Sequence, residues 1–248
     1  MDPRWKHPFP APVSGPTCCG KSQFVKRLLE SGEDIIDSAR ENIIWCYGMY
    51  QPTYDEMLKT IPNITFVAVV PCDLETQINP SIRNLVVIDD LMHELTNDQR
   101  MTNLFTKGCQ HRNLSVIFIL QNMFHRGKEL RDMSLNSHYL VVFKSPRDSS
   151  QVNHLARLMS PGHVKYMQEA FEDATKRPHG YLFCDLKPET PTDFRLRTNI
   201  FPGRLSTLTS EKYKKREPHQ ISSVEDGTAT EKELRFSEAA CQVYPSSA

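Results

Sequence analysis

Gly15-Pro16-Thr17-Cys18-Cys19-Gly20-Lys21-Ser22 is the stretch that decides how the chain is read. It satisfies the spacing G-x-x-x-x-G-K-[ST] at each fixed position. Gly15 and Gly20 carry no Cβ, so the backbone is able to curl there around an anion. A curled loop aims successive N–H groups at its centre, and the N-terminus of a following helix adds its own donors. Lys21 has the reach to meet β- and γ-phosphates, and the Ser22 hydroxyl is suited to Mg²⁺. All eight residues are therefore expected to form a phosphate-binding loop for ATP and Mg²⁺.

The flanks of such a loop are a strand before it and a helix after it. On the far side, Phe24, Val25, Leu28 and Leu29 repeat at helical spacing, and Gly32 suits a C-cap. On the near side, Ala11-Pro12-Val13-Ser14 makes a poor strand, because Pro12 has no N–H for a central ladder. The expected strand is short or begins after Pro12.

Further along, Leu85-Val86-Val87-Ile88-Asp89-Asp90 runs four apolar residues into two carboxylates. This is a Walker B pattern: a strand covered on both faces, with its acids at the C-terminal end where such sheets bind ligands. Asp89 is expected to hold Mg²⁺ through water, and Asp90 to polarise the attacking water. Leu114 to Leu120 is another buried run, and it ends at Gln121. Gln121 reads equally as a γ-phosphate sensor and as a turn residue.

The other apolar runs are 43–47, 64–70, 139–143 and 180–186, read as strands. Helical spacing marks 54–61, 97–108, 151–159 and 161–175, and 71–80 reads as a polar loop. Residues 1–8 are expected to be an extended lead-in and 9–202 an ATPase domain. From 203 to 248 Ser, Thr, Glu and Lys dominate, the composition of a disordered tail. A basic cluster there, Lys212 to Arg216, reads as a solvated segment or a nuclear-localisation or DNA-contact patch.

Bulk numbers narrow the classes. Thirty Lys and Arg balance thirty Asp and Glu, so no bulk electrostatic pull toward nucleic acid or membrane is visible. No apolar run approaches the roughly 20 residues of a membrane span. Seven cysteines without a C-x-x-C pair suggest free thiols in a reducing compartment, with Cys18 and Cys19 filling the loop.

Strands alternating with helices imply an α/β fold with a mostly parallel sheet wrapped on both faces. An extra strand is expected between the loop strand and the Asp89 strand, drawn from near 43–48 or 64–70, as in additional-strand, RecA-like P-loop NTPases. The segment Gln110-His111-Arg112-Asn113 running through Leu120-Gln121-Asn122 resembles the FtsK/HerA segment in which an Arg precedes a Gln-tipped strand. Ser134 to Asp148 resembles the matching segment of genome-packaging ATPases in that superfamily, nearest to those of Polinton/Maverick elements, adintovirus-like viruses and poxvirus-type large DNA viruses. The likeness covers about 8–200. Two positions depart from it: Cys18 stands where Gly or another small residue is usual, and Asp90 where FtsK relatives carry Glu.

The resemblance implies a homo-oligomeric ring, a hexamer, that moves double-stranded DNA into a capsid built of partner proteins. It implies ATP at subunit interfaces, with Arg112 as the finger reaching a neighbour's γ-phosphate and Arg131 and Arg147 as rivals. Arg126 and Lys128 are its candidates for contact with the DNA backbone. An intracellular site, the host nucleus or a viral factory, goes with it, as does association with the virion. Two other classes stay open: a nucleoside or nucleotide kinase, which needs an arginine-bearing lid and an acceptor pocket, and a non-hydrolysing nucleotide-binding scaffold, against which Lys21, Ser22, Asp89 and Asp90 all argue.

Overall fold

The apolar runs pair side by side into one sheet. A computed structural model describes residues 2–91, 109, 112–122, 135–146, 150–159, 162–203 and 206–208. The strands are β1 (Pro10–Ser14), β2 (Asn42–Tyr47), β3 (Ile64–Ala68), β4 (Asn84–Asp89), β5 (Leu114–Leu120), β6 (Tyr139–Phe143), β7 (Tyr181–Asp185), β8 (Leu196–Thr198) and β9 (Ser206–Thr207). Across the sheet they stand in the order β3-β2-β4-β5-β1-β6-β7-β8-β9. Every pair from β3 to β6 is parallel. Strands β7, β8 and β9 then join antiparallel.

The described helices are α1 (Lys21–Glu30), α2 (Thr53–Thr60), α3 (Leu74–Gln77), α4 (Ser150–Met159), α5 (Val164–Ala174) and α6 (Thr192–Arg195). Alternation along each strand sends side chains to both faces, which is why the runs are continuously apolar. Trp45, Val87 and Ile117 pack under Phe24, Val25 and Leu28 of α1 and Met57 of α2. On the reverse face Val86, Ile88 and Phe118 meet Leu74, Ile78 and Cys109. Leu140 and Val142 are covered there by Leu155 and Ala156 of α4 and Met167 and Ala170 of α5. Helices α1 and α2 are also joined by Lys26–Glu56, at 2.6 Å.

Four expectations need correction. First, β1 begins at Pro10 and contains Pro12, although it is central. The reason is the side on which each N–H would lie. Val116 donates its N–H to Phe9 O, and Gly15 donates to Leu120 O, so residues 9, 11, 13 and 15 face β5. Pro10 and Pro12 alternate with them and face β6, whose register with β1 covers only Val13 and Ser14. The missing donors fall where the ladder does not need them. Second, the strand inserted between β1 and β4 is β5, not 43–48 or 64–70; β2 and β3 lie beyond β4. Third, the first residues are packed. Trp5 is buried among Phe9, Tyr139 and Phe183, and Trp5 donates its N–H to Ile35 O at 2.7 Å. Fourth, the sheet continues past 202 to β9, and the 71–80 loop contains α3 with Leu74 and Ile78 buried.

A buried ion pair ties this end together. Arg197 donates to Asp185 Oδ2 at 3.1 Å and to Pro3 O at 2.5 Å, with its guanidinium over the Phe183 ring. The 97–108 helix, Arg126, Lys128, Arg131, Arg147 and the Lys212–Arg216 cluster lie outside the described residues. Among the described residues, no helix is long and apolar enough to cross a membrane.

Candidate functional site

The site forms at the C-terminal edge of the parallel strands, where β1 turns into α1. Two left-handed residues shape the turn: Cys18 at φ 63° and Gly20 at φ 104°. Cys18 tolerates this at a cost of about 1 kcal/mol, whereas Gly20 meets it without a Cβ. Gly20 then caps α1, and no side chain bonds to the helix N-terminus. The first-turn N–H donors and the positive end of the helix dipole are thus left facing the loop. Cys19 is half-buried inside the turn, and burial pushes its thiol above the ordinary value, which makes it a filler rather than a reactive group. The six described cysteines are all free thiols.

Lys21 folds back over the loop. Its Nζ donates to Gly15 O at 2.7 Å and Pro16 O at 2.8 Å. The ammonium is thereby held against the loop backbone, a position suited to an anion. Ser22 Oγ donates to Asp89 Oδ2 at 3.1 Å, so α1 and the end of β4 bring the loop hydroxyl and the Walker B acid together. Hard oxygens of this kind suit Mg²⁺, which takes its remaining ligands from phosphates and water.

Asp89 is buried. Burial pushes its carboxyl above the usual range, and hydrogen bonds from Ser22 and Tyr54 oppose that shift. Tyr54 approaches from α2, with its hydroxyl 3.3 Å from Asp89 Oδ2. Burial drives the Tyr54 phenol upward, so it remains protonated and donates. Asp90, next in the chain, is exposed and left-handed at φ 56°. Gln121 Nε2 donates to Asp90 Oδ1 at 3.0 Å. The tip of β5 is thereby tied to the second acid.

Arg112 is placed elsewhere. It precedes β5 in the turn at 112–113, while the far end of that strand pairs with Ser14 beside the loop. Eight residues of extended chain separate the two ends, roughly 25 Å. The fold does not bring Arg112 to the phosphate loop of its own chain.

Two residues had no signal in the sequence. Tyr54 reads only as the start of a short helix. His179 lies 160 positions from the loop, yet its Nδ1 is 3.0 Å from Cys19 O. It belongs to the turn 175–180 between α5 and β7, which with Phe143, Lys144 and the loop encloses a cleft of about 470 Å³. That cleft opens on the β6 side of β1, opposite the Asp89–Asp90 side.

No family profile matches the chain, and no curated protein matches it. Solved structures do. The DNA-packaging ATPase B204 of Sulfolobus turreted icosahedral virus superposes with a TM-score of 0.51 at 12% identity, over 77% of this chain and 96% of that one. The genome packaging NTPase B204 of Sulfolobus turreted icosahedral virus 2, in complex with ATP-gammaS, gives 0.50 at 12% identity over the same shares. The chain has a P-loop NTPase fold. At this identity the likeness is one of fold alone.

Proposed function

We propose that this protein is an ATP-hydrolysing motor that translocates double-stranded DNA and packages a genome into a capsid. The observation that carries the hydrolytic part is the convergence on one sheet edge of Lys21, the Ser22–Asp89 pair and the Gln121–Asp90 pair. In this reading Lys21 and the loop N–H groups neutralise the β- and γ-phosphates. Ser22 and Asp89 hold Mg²⁺, and Asp90, steered by Gln121, polarises the attacking water. Electrostatic stabilisation by groups already in place is the main source of rate in such sites.

The motor part is supported by the shared architecture with viral packaging ATPases and by the FtsK/HerA-like segments around Arg112 and Ser134–Asp148. The protein works as a homo-oligomeric ring, a hexamer. The distance of Arg112 from its own loop suits a finger that serves a neighbouring subunit, and Arg126 and Lys128 contact the DNA backbone in the bore. Capsid proteins are the further partners, inside the infected or host cell, in the nucleus or a viral factory.

The test is ATP hydrolysis by purified protein, with and without double-stranded DNA, alongside Lys21→Ala. The expected result is hydrolysis that DNA stimulates, that salt weakens, and that the variant loses by a factor of at least about 100, as when a transition-state donor is removed. Hydrolysis indifferent to DNA, or phosphate transfer to a nucleoside, overturns the motor and favours a kinase.

A further inference from the structure

We propose that His179 is a positioning residue for the phosphate nest, acting through the Cys19–Gly20 peptide. The inference rests on the reading of the loop as an ATP site. The Cys19 carbonyl can only accept, so the His179 Nδ1 that lies 3.0 Å from it carries the hydrogen and donates. A peptide unit is planar and trans, so its C=O and N–H point in opposite directions. Holding the Cys19 C=O toward the α5–β7 turn therefore fixes the Gly20 N–H in the opposite direction, toward the space the loop curls around. The donor that meets a phosphate is aimed before any phosphate arrives.

The imidazole is held firmly enough for this task. It packs directly on the loop backbone: a Cβ added at Gly20 would sit 3.2 Å from His179 Nδ1. His179 itself is left-handed at φ 58°. The next residue, Gly180, is wedged so closely that a Cβ there would lie 2.5 Å from Ala174 O and 2.9 Å from Arg177 O. Gly180 also donates its N–H to Arg177 O at 3.0 Å. The end of α5 and the start of β7 thus lock the turn that presents the ring. None of these residues belongs to a nucleotide-binding motif.

The same turn lines the cleft on the β6 side, so the competing role for His179 is contact with the nucleoside. Two probes separate the roles: tripolyphosphate, which has only phosphates, and ADP. Calorimetric titration of each is made on the wild type, His179→Ala and His179→Asn. Asn places an amide N–H the same number of bonds from the backbone as Nδ1. His179→Ala is expected to weaken both ligands by the same factor, about fivefold, the worth of one neutral hydrogen bond. His179→Asn is expected to recover most of that loss. In steady state, His179→Ala is expected to raise KM for ATP by more than it lowers kcat, because the groups around Asp89 and Asp90 are untouched. Without ligand, His179→Ala is expected to melt slightly below the wild type, because it loses the bond to Cys19 O, and His179→Asn is expected to melt close to the wild type.

Unchanged affinity for tripolyphosphate in His179→Ala overturns the inference, as does an Asn variant no better than the Ala variant. Loss confined to ADP overturns it in favour of a nucleoside contact. A wild type that binds neither ligand overturns the ATP reading, and this inference with it. A wild type and His179→Ala that bind both ligands equally overturn this inference alone.

Discussion

Replacing Gly15 by Ala tests whether the phosphate loop is pressed against β6. Gly15 has no left-handed φ, so the substitution carries no backbone strain, and its effect is steric. The new methyl would lie 2.6 Å from Phe143 Cβ and 2.8 Å from Cys19 Sγ. Carbon atoms rest at about 3.5–4.0 Å, so each contact is short by about 1 Å. The Cys19 thiol can rotate away. Phe143 Cβ cannot, because it is fixed to the backbone of β6. Overpacking of this kind costs about 1–3 kcal/mol, and the stiffer unfolded chain of Ala offsets about 0.4–1 kcal/mol. A net loss of about 1–2 kcal/mol follows, read as a lower urea midpoint with an unchanged slope. The loop relieves the overlap by shifting off β6, which displaces its inward N–H groups. ADP affinity is expected to fall about tenfold, equivalent to about 1.4 kcal/mol. Gly162→Ala is the control, because nothing lies within 4 Å of a Cβ there. It should leave both quantities unchanged or stabilise slightly. A Gly15→Ala protein with the wild-type midpoint and ADP affinity would refute the reasoning, since the loop would then have room that the geometry denies it.

Other expectations follow from the same geometry. Asp89→Asn removes a buried charge whose folded pKa lies above the ordinary 3.8. A carboxyl raised in this way loses stability as pH climbs through the folded value. The metal-free variant should therefore melt above the wild type near pH 8, and the gap should close as pH falls toward 4; a variant less stable than the wild type at pH 8 by thermal melting contradicts this. Its ATP hydrolysis should vanish. Tyr54→Phe deletes the donor 3.3 Å from Asp89 Oδ2; at about 1 kcal/mol for a hydrogen bond, half-maximal hydrolysis should need several-fold more Mg²⁺, and an unchanged Mg²⁺ titration speaks against that role. Asp185→Ala leaves Arg197 buried without its carboxylate partner, a loss of about 3–5 kcal/mol by urea denaturation. Pairing Asp185→Leu with Arg197→Met should recover most of it, and a single variant of wild-type stability would show that the pair is idle.

The local parts of the site were legible because they obey spacing. The loop needs its glycines, Lys21 and Ser22 at fixed intervals, and Asp89 and Gln121 each close an apolar run at the edge where parallel sheets bind ligands. What spacing does not carry is lateral order. Nothing in one dimension tells which neighbour each strand acquires, so β5 rather than an earlier strand came to separate β1 from β4. The side on which Pro12 lacks its donor is hidden for the same reason. Tyr54 and His179 reach the site through tertiary packing, from a crossover helix and from a turn far along the chain. Trp5 reads as part of a proline-rich lead-in, because its partners Tyr139 and Phe183 lie on strands more than 130 residues away.

The prolines of β1 have a mechanical consequence. Five residues of β1 are in register with β5, but only two with β6. Side chains hold the β1–β6 seam where the backbone ladder is sparse: Trp5 and Phe9 pack on Tyr139, and Phe24 of α1 packs on Phe143. The loop springs directly from that seam, and the turn bearing His179 lies on its β7 side. A pull on the loop would therefore be borne across that seam by aromatic packing more than by a hydrogen-bonded ladder.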